Sequence, residues 1–201
     1  MRLHDHLTSG NGFKVRLLLS QLGVRYQRVE YDIDKRETRT PEFLARNPNG
    51  RIPVLELDDG TFLAESDAIL WYLAEGTPFL PDDRRQRAEV LQWMFFEQYN
   101  HEPNIATVRY WITHRIPVTP LMDLSIPAKR VQGVAALGVM EGHLARRAFF
   151  VGERYTIADI ALYAYTHVAG EGGFDLGPFP QVRNWINRVA GQPGYIPITQ
   201  G

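Results

Sequence analysis

The sequence contains no cysteine. That excludes a disulfide framework, a thiolate zinc site, a Cys-x-x-Cys redox pair and a cysteine nucleophile. Any sulfur chemistry must use a thiol carried in by a substrate. Charge of either sign is in no surplus, with 22 Lys and Arg against 23 Asp and Glu over 201 residues. Such a balance argues against a nucleic-acid surface, which needs basic charge gathered on one face. No apolar run reaches the roughly 18 residues of a membrane span. The opening Met1-Arg2-Leu3-His4-Asp5-His6 lacks the apolar core of a secretory leader. A cytoplasmic protein with no membrane partner is the expectation. Phosphate-cradling Gly-x-Gly-x-x-Gly and Gly-Lys-Ser/Thr loops are also missing.

What is present suits a globular fold. Hydrophobic residues make up 44% of the chain and charged residues 22%, both ordinary values. A chain of this length buries about two thirds to three quarters of its unfolded surface. The pattern of the first 76 residues reads β-α-β-α-β-β-α. A short strand from Arg2 is followed by the turn cluster Thr8-Ser9-Gly10-Asn11-Gly12. Val15, Leu18, Leu19 and Leu22 then recur at helical spacing up to Gly23. Arg25 to Ile33 alternates as a strand. Pro41 opens a short helix, and Ile52 to Leu57 reads as a strand. Asp58-Asp59-Gly60 is a hairpin signal, and a helix follows from Ser66. Residues 77–84, with two prolines and paired acids just after Gly76, read as a linker. From 85 to 201 the pattern is helical throughout. Pro103 should end or kink one helix there, and Thr156-Ile157-Ala158-Asp159 has the form of a capping box. An α/β domain followed by an all-α domain is the predicted architecture.

Three places carry candidate chemistry. Thr8-Ser9-Gly10-Asn11-Gly12 lies between a strand and a helix, where open α/β sheets hold ligands and helix N-termini hold anions. The same residues also serve a plain N-cap and turn. In Arg51-Ile52-Pro53-Val54 a proline stands in a strand, which requires either an edge position or a cis bond. The cis alternative leaves the backbone of Ile52 or Val54 free to pair with a peptide-like ligand as an added strand. Glu65-Ser66-Asp67 opens a helix. Ser66 there acts either as an N-cap alone or, with Glu65, as a seat for a carboxylate and an ammonium. The histidines add little: His4 and His6 share a strand face with no readable third ligand, so no metal is expected. Ser9 lacks the His and Asp partners of a hydrolase nucleophile.

In this order and at this spacing the three places, with Asn47-Pro48-Asn49-Gly50 ahead of Arg51 and Phe149 to Ile160 in the helical half, resemble the cytosolic glutathione S-transferase family over nearly the whole chain. The resemblance implies a thioredoxin-like N-terminal domain and an all-α C-terminal domain, normally in a homodimer. It implies glutathione as co-substrate, with no metal. The backbone of Ile52, ahead of a cis Pro53, would pair with the cysteinyl unit. Glu65 and Ser66 would hold the γ-glutamyl head, and Arg51 would stand near the glycyl carboxylate. No tyrosine lies between residues 2 and 12 and no cysteine exists, so the tyrosine and cysteine types do not fit. A serine or asparagine type does, with the thiol activated by Ser9, Thr8 or Asn11. The implied activity is thiolate transfer to a small electrophile, as in detoxification. Tyr99, Tyr110 and Trp111 are candidate walls of the electrophile pocket or plain core residues. Glutathione-dependent disulfide reduction is the rival enzyme, and a non-catalytic binding or assembly module is the rival outside enzymes.

Overall fold

A computed structural model describes residues 1–201, which fall into two units. The first joins Met1–Thr77 with Gln192–Gly201; the second is Pro78–Gly191.

The first unit is built on four strands, β1 (Arg2–Asp5), β2 (Gln27–Glu30), β3 (Val54–Glu56) and β4 (Phe62–Ala64), in the order β2-β1-β3-β4. β1 runs parallel to β2 and antiparallel to β3, with Leu3 opposite Leu55; β3 and β4 are antiparallel. A parallel pair needs a crossover, and α1 (Gly10–Gln21) supplies it before Gly23 turns the chain at φ 66. α2 (Pro41–Leu44) and α3 (Ser66–Ala74) complete the unit. Leu3, Val15, Leu19, Leu55 and Ile69 form its fully buried centre.

Two strands are shorter than their sequence patterns. The alternation through Ile33 stops at Glu30. Just beyond it, the Asp32 carboxylate accepts from the backbone N–H of Asp34 (3.1 Å) and Lys35 (3.0 Å), so a local turn replaces the ladder. β3 begins at Val54 because Pro53 has no N–H to give. β3 is an interior strand, so the edge alternative for Pro53 is not the one adopted. The Ile52–Pro53 bond is cis.

The second unit is helical: α4 (Arg84–Phe96), α5 (Glu102–Thr113), α6 (Pro120–Leu144), α7 (Ile157–Thr166) and α8 (Pro180–Ala190). The basic first turn of α4 opposes the helix dipole, and Asp83 answers it by capping the N–H of Gln86 at 2.9 Å. Pro103 does not end the helix outright. A π turn over Glu97–His101 joins α4 to α5, with the N–H of Glu102 reaching the carbonyl of Glu97. Pro103 cannot bond back one turn, and the widened turn absorbs that deficit.

The capping box ahead of α7 is present, with Asp159 doing more than its form required. One carboxylate oxygen accepts from the N–H of Phe150 (3.1 Å) and the indole of Trp185 (2.9 Å). The other accepts from the N–H (3.0 Å) and hydroxyl (3.3 Å) of Thr156. Asp159 and Trp185 are both fully buried, and burial pushes the Asp159 carboxyl up to about 6.

Candidate functional site

The turn after β1 is shaped by caps. Ser9 is the N-cap of α1, with its hydroxyl accepting from the N–H of Gly12 at 3.2 Å. A hydroxyl also carries one hydrogen to donate, and Ser9 is only partly buried. Asn11 is likewise partly buried, while Thr8 is exposed.

Beneath this turn lies a buried charge pair. Asp5 at the end of β1 meets the guanidinium of Arg16 at 2.8 Å, with both side chains fully buried. Arg16 also donates to the carbonyls of Leu7, Ile198 (3.0 Å) and Gln200. One guanidinium thus ties the Ser9 turn to the 192–201 segment. Burial raises the Asp5 carboxyl above its ordinary range, against the pull of Arg16. Gly12 makes the arrangement possible, since a Cβ there would lie 1.6 Å from an Asp5 carboxylate oxygen. Gly12→Ala should therefore lower stability by about 1–3 kcal/mol through overpacking. A urea midpoint that does not fall would contradict this close approach.

The loop before β3 is braced by Asn47. Its amide donates to the carbonyl of Arg51 at 2.8 Å and accepts from the N–H of Asn49 at 3.0 Å. Arg39 donates to the carbonyl of Asn49 at 2.8 Å, and Gly50 takes φ 64. The result is a fixed approach to cis Pro53, with Ile52 just outside the β3 ladder and Arg51 exposed.

The start of α3 departs from the N-cap reading of Ser66. The N-cap is Glu65, exposed and held at φ 66, ψ 114 with no side-chain cap bond. A non-glycine residue at positive φ costs of order 1–3 kcal/mol, and such strain gathers at ligand clamps. Ser66 is the first helical residue, and its hydroxyl is released for other work. It donates to the Asn11 side-chain carbonyl at 3.3 Å and accepts from Lys14 Nζ at 3.3 Å. Lys14 also pairs with Asp67 at 3.1 Å, its own side chain fully buried. The first turns of α1 and α3 are thereby joined side chain to side chain.

Ser9, Asn11, Glu65 and Ser66 therefore come from two helix starts, and Ile52 and Pro53 from the loop leading into β3. Lys14, Asp5 and Arg16 were not singled out by sequence reasoning. A charged residue one turn after Asn11 was the available signal for Lys14. His4 and His6 are engaged elsewhere. His4 bonds Glu56 (2.9 Å) and the Tyr31 hydroxyl (3.1 Å), and His6 bonds the Tyr31 carbonyl (3.0 Å). Burial lowers the His4 imidazole.

In the helical unit Tyr99, 85% exposed, lines a groove of about 460 Å³ with Phe96, Asn100, Asn104, Gln132, Ala135, Ala136 and Val139. Tyr110 and Trp111 lie some three turns further along α5 and do not line it. The Tyr110 ring instead sits 4.2 Å from that of His114.

Comparison with known proteins identifies the family. Residues 1–75 match the model of the glutathione S-transferase N-terminal domain, and residues 126–193 that of the C-terminal domain. The crystal structure of a glutathione S-transferase from Pseudomonas fluorescens Pf-5 superposes with a TM-score of 0.95 at 48% identity, covering 99% of this chain and 98% of that one. The disulfide-bond oxidoreductase YfcG of Escherichia coli K12 is 33% identical over 91% of this chain and 87% of its own. The transcriptional regulator Ure2 of Saccharomyces cerevisiae is 29% identical over 99% of this chain, which spans 67% of Ure2. A structure of Ure2p in complex with glutathione superposes with a TM-score of 0.88 at 29% identity, over 96% of this chain and 95% of that one. No helix is long and apolar enough to cross a membrane. The chain belongs to the glutathione S-transferase family.

Proposed function

We propose that this protein is a glutathione transferase of the serine or asparagine type. Glutathione binds along the first unit, its thiol ionises, and the thiolate attacks a small hydrophobic electrophile. The observation that carries the reading is the Ser66–Asn11 bond of 3.3 Å, which holds two helix starts together. Glu65 and Ser66 take the γ-glutamyl ammonium and carboxylate. The backbone of Ile52 pairs with the cysteinyl unit, and Arg51 attracts the glycyl carboxylate. Ser9 and Asn11 donate to the sulfur. In this reading residues 1–76 bind glutathione, 77–84 link, and the helices between 85 and 191 hold the electrophile, with Tyr99 as the candidate wall of its groove, while 192–201 packs with the first unit instead of joining the helical half of 85–201. The working form is a cytoplasmic homodimer acting in detoxification.

The energetics suffice without a formal base. A free thiol titrates near pH 8.5, so about two units of lowering need roughly 2.7 kcal/mol. One hydrogen bond to a charged partner supplies about 1.5–3 kcal/mol, and a helix N-terminus about 0.3–1 kcal/mol. The thiol proton leaves to solvent. The sulfur lone pair forms the C–S bond as the leaving group departs with its electron pair.

Titration of the bound glutathione thiol tests the mechanism. Asn11→Ala and Ser9→Ala should each raise its pKa by about one to two units, equal to one lost charged hydrogen bond. If neither change moves the titration, the activation scheme fails. The similarity to YfcG supports a second reading, in which the thiolate attacks a disulfide and a second glutathione resolves the mixed disulfide. Turnover of a chlorinated nitroaromatic against that of a small glutathionylated disulfide separates the two. The name of yeast Ure2 supports a non-catalytic module, for which neither substrate would turn over.

A further inference from the structure

We infer that Lys14 is a positioning residue for thiol activation, acting on Asn11 through the Ser66 hydroxyl. The inference rests on the transferase reading and extends it to a residue that touches no substrate.

An ammonium has only donors. Ser66 Oγ, 3.3 Å from Lys14 Nζ, must therefore accept from it. The one hydrogen of that hydroxyl is spent on the Asn11 side-chain oxygen, also at 3.3 Å. A cation at the far end of this chain polarises the hydroxyl, so its hydrogen seeks the negative end of the amide. The Asn11 carbonyl is held toward Ser66 and its two N–H donors are turned the other way. Without this constraint an asparagine amide can rotate and present either end. A carbonyl facing a thiolate would repel the charge that an N–H stabilises.

Burial gives the chain its force. The Lys14 side chain is fully shielded from solvent and Ser66 is 5% exposed, so water does not compete for these bonds. Asp67, 3.1 Å from the ammonium, is the counter-charge of this buried cation. The other Asp67 oxygen is buried with no hydrogen-bond partner. The geometry thus favours a pair that orients the lysine over one that saturates the carboxylate. Ser66 belongs both to the head-group seat and to this chain, so head-group binding and thiol ionisation share one hydroxyl.

The test is the thiolate absorbance of saturating glutathione against pH. The wild type must first show a lowered thiol pKa; if it does not, the transferase reading falls and the inference with it. Given that shift, Lys14→Met combined with Asp67→Asn, which removes both charges together, should raise the thiol pKa by about one unit, a tenfold loss of thiolate below it. Lys14→Arg, which keeps the positive charge and its pairing with Asp67, should restore most of it. Ser66→Ala cuts the chain while keeping the ion pair, and keeps the inference open to test where the double change fails to fold. It should give a similar rise, and adding the Lys14 change to it should give no more. A thiol pKa unmoved in Ser66→Ala would overturn the inference. So would a Lys14 effect that persists at full size without the Ser66 hydroxyl, since the lysine would then act by its field alone.

Discussion

Asp159→Ala should lower the stability of the helical unit by about 3–5 kcal/mol at neutral pH, since it orphans several buried donors at about 1–3 kcal/mol each without full additivity. Those donors are the N–H groups of Phe150 and Thr156 and the indole of Trp185. The penalty should depend on pH in a definite direction. The native carboxyl holds its proton up to about pH 6, against an ordinary value of 3.8. Between those values the native state binds more protons than the unfolded chain, so stability from this group is greatest at the acid end. It falls as pH rises to 6 and then stays flat. The alanine variant lacks this component, so its deficit should widen by about 1 kcal/mol from pH 7 to pH 5. Urea unfolding at the two pH values, followed by Trp fluorescence, measures the difference. A deficit that narrows toward acid would reverse the assigned sign.

Arg16→Met should be comparably costly, at about 3–5 kcal/mol, because it strands the buried Asp5 carboxylate without its partner. Arg16→Lys separates charge from shape. An ammonium can still pair with Asp5, but it cannot fork to the carbonyls of Leu7, Ile198 and Gln200 together. The lysine variant should therefore fold with a smaller deficit while the 192–201 segment becomes the first site of proteolysis. Cleavage elsewhere first, or a segment as resistant as in the wild type, would count against the clamp.

The order of elements was legible because strand alternation, helical spacing and turn residues agree through the first 76 residues. The places that mattered most were legible only in part. Local residues favoured an edge strand over a cis bond for Pro53, and the outcome depends on β4 pairing beyond β3, which no local pattern carries. Ser66 has an N-cap's chemistry, yet Glu65 takes the cap position, freeing the hydroxyl for Asn11. The helical spacing of Val15, Leu18, Leu19 and Leu22 assigned no role to Lys14 and Arg16. Both are fully buried because their partners lie at Asp5, Ser66, Asp67 and the 192–201 segment. Helical period reports which residues share a face; it is silent on what a distant part of the chain brings to that face.

That distant part sets a timetable for biosynthesis. The first unit is sealed by residues translated after all five helices of the other unit. While a ribosome is still making residue 191, Arg16 has Asp5 and Leu7 within reach but not Ile198 or Gln200. Maturation of the first 77 residues is therefore a late event, and the turn bearing Ser9 and Asn11 gains its full bracing only after the helical partner has had time to fold.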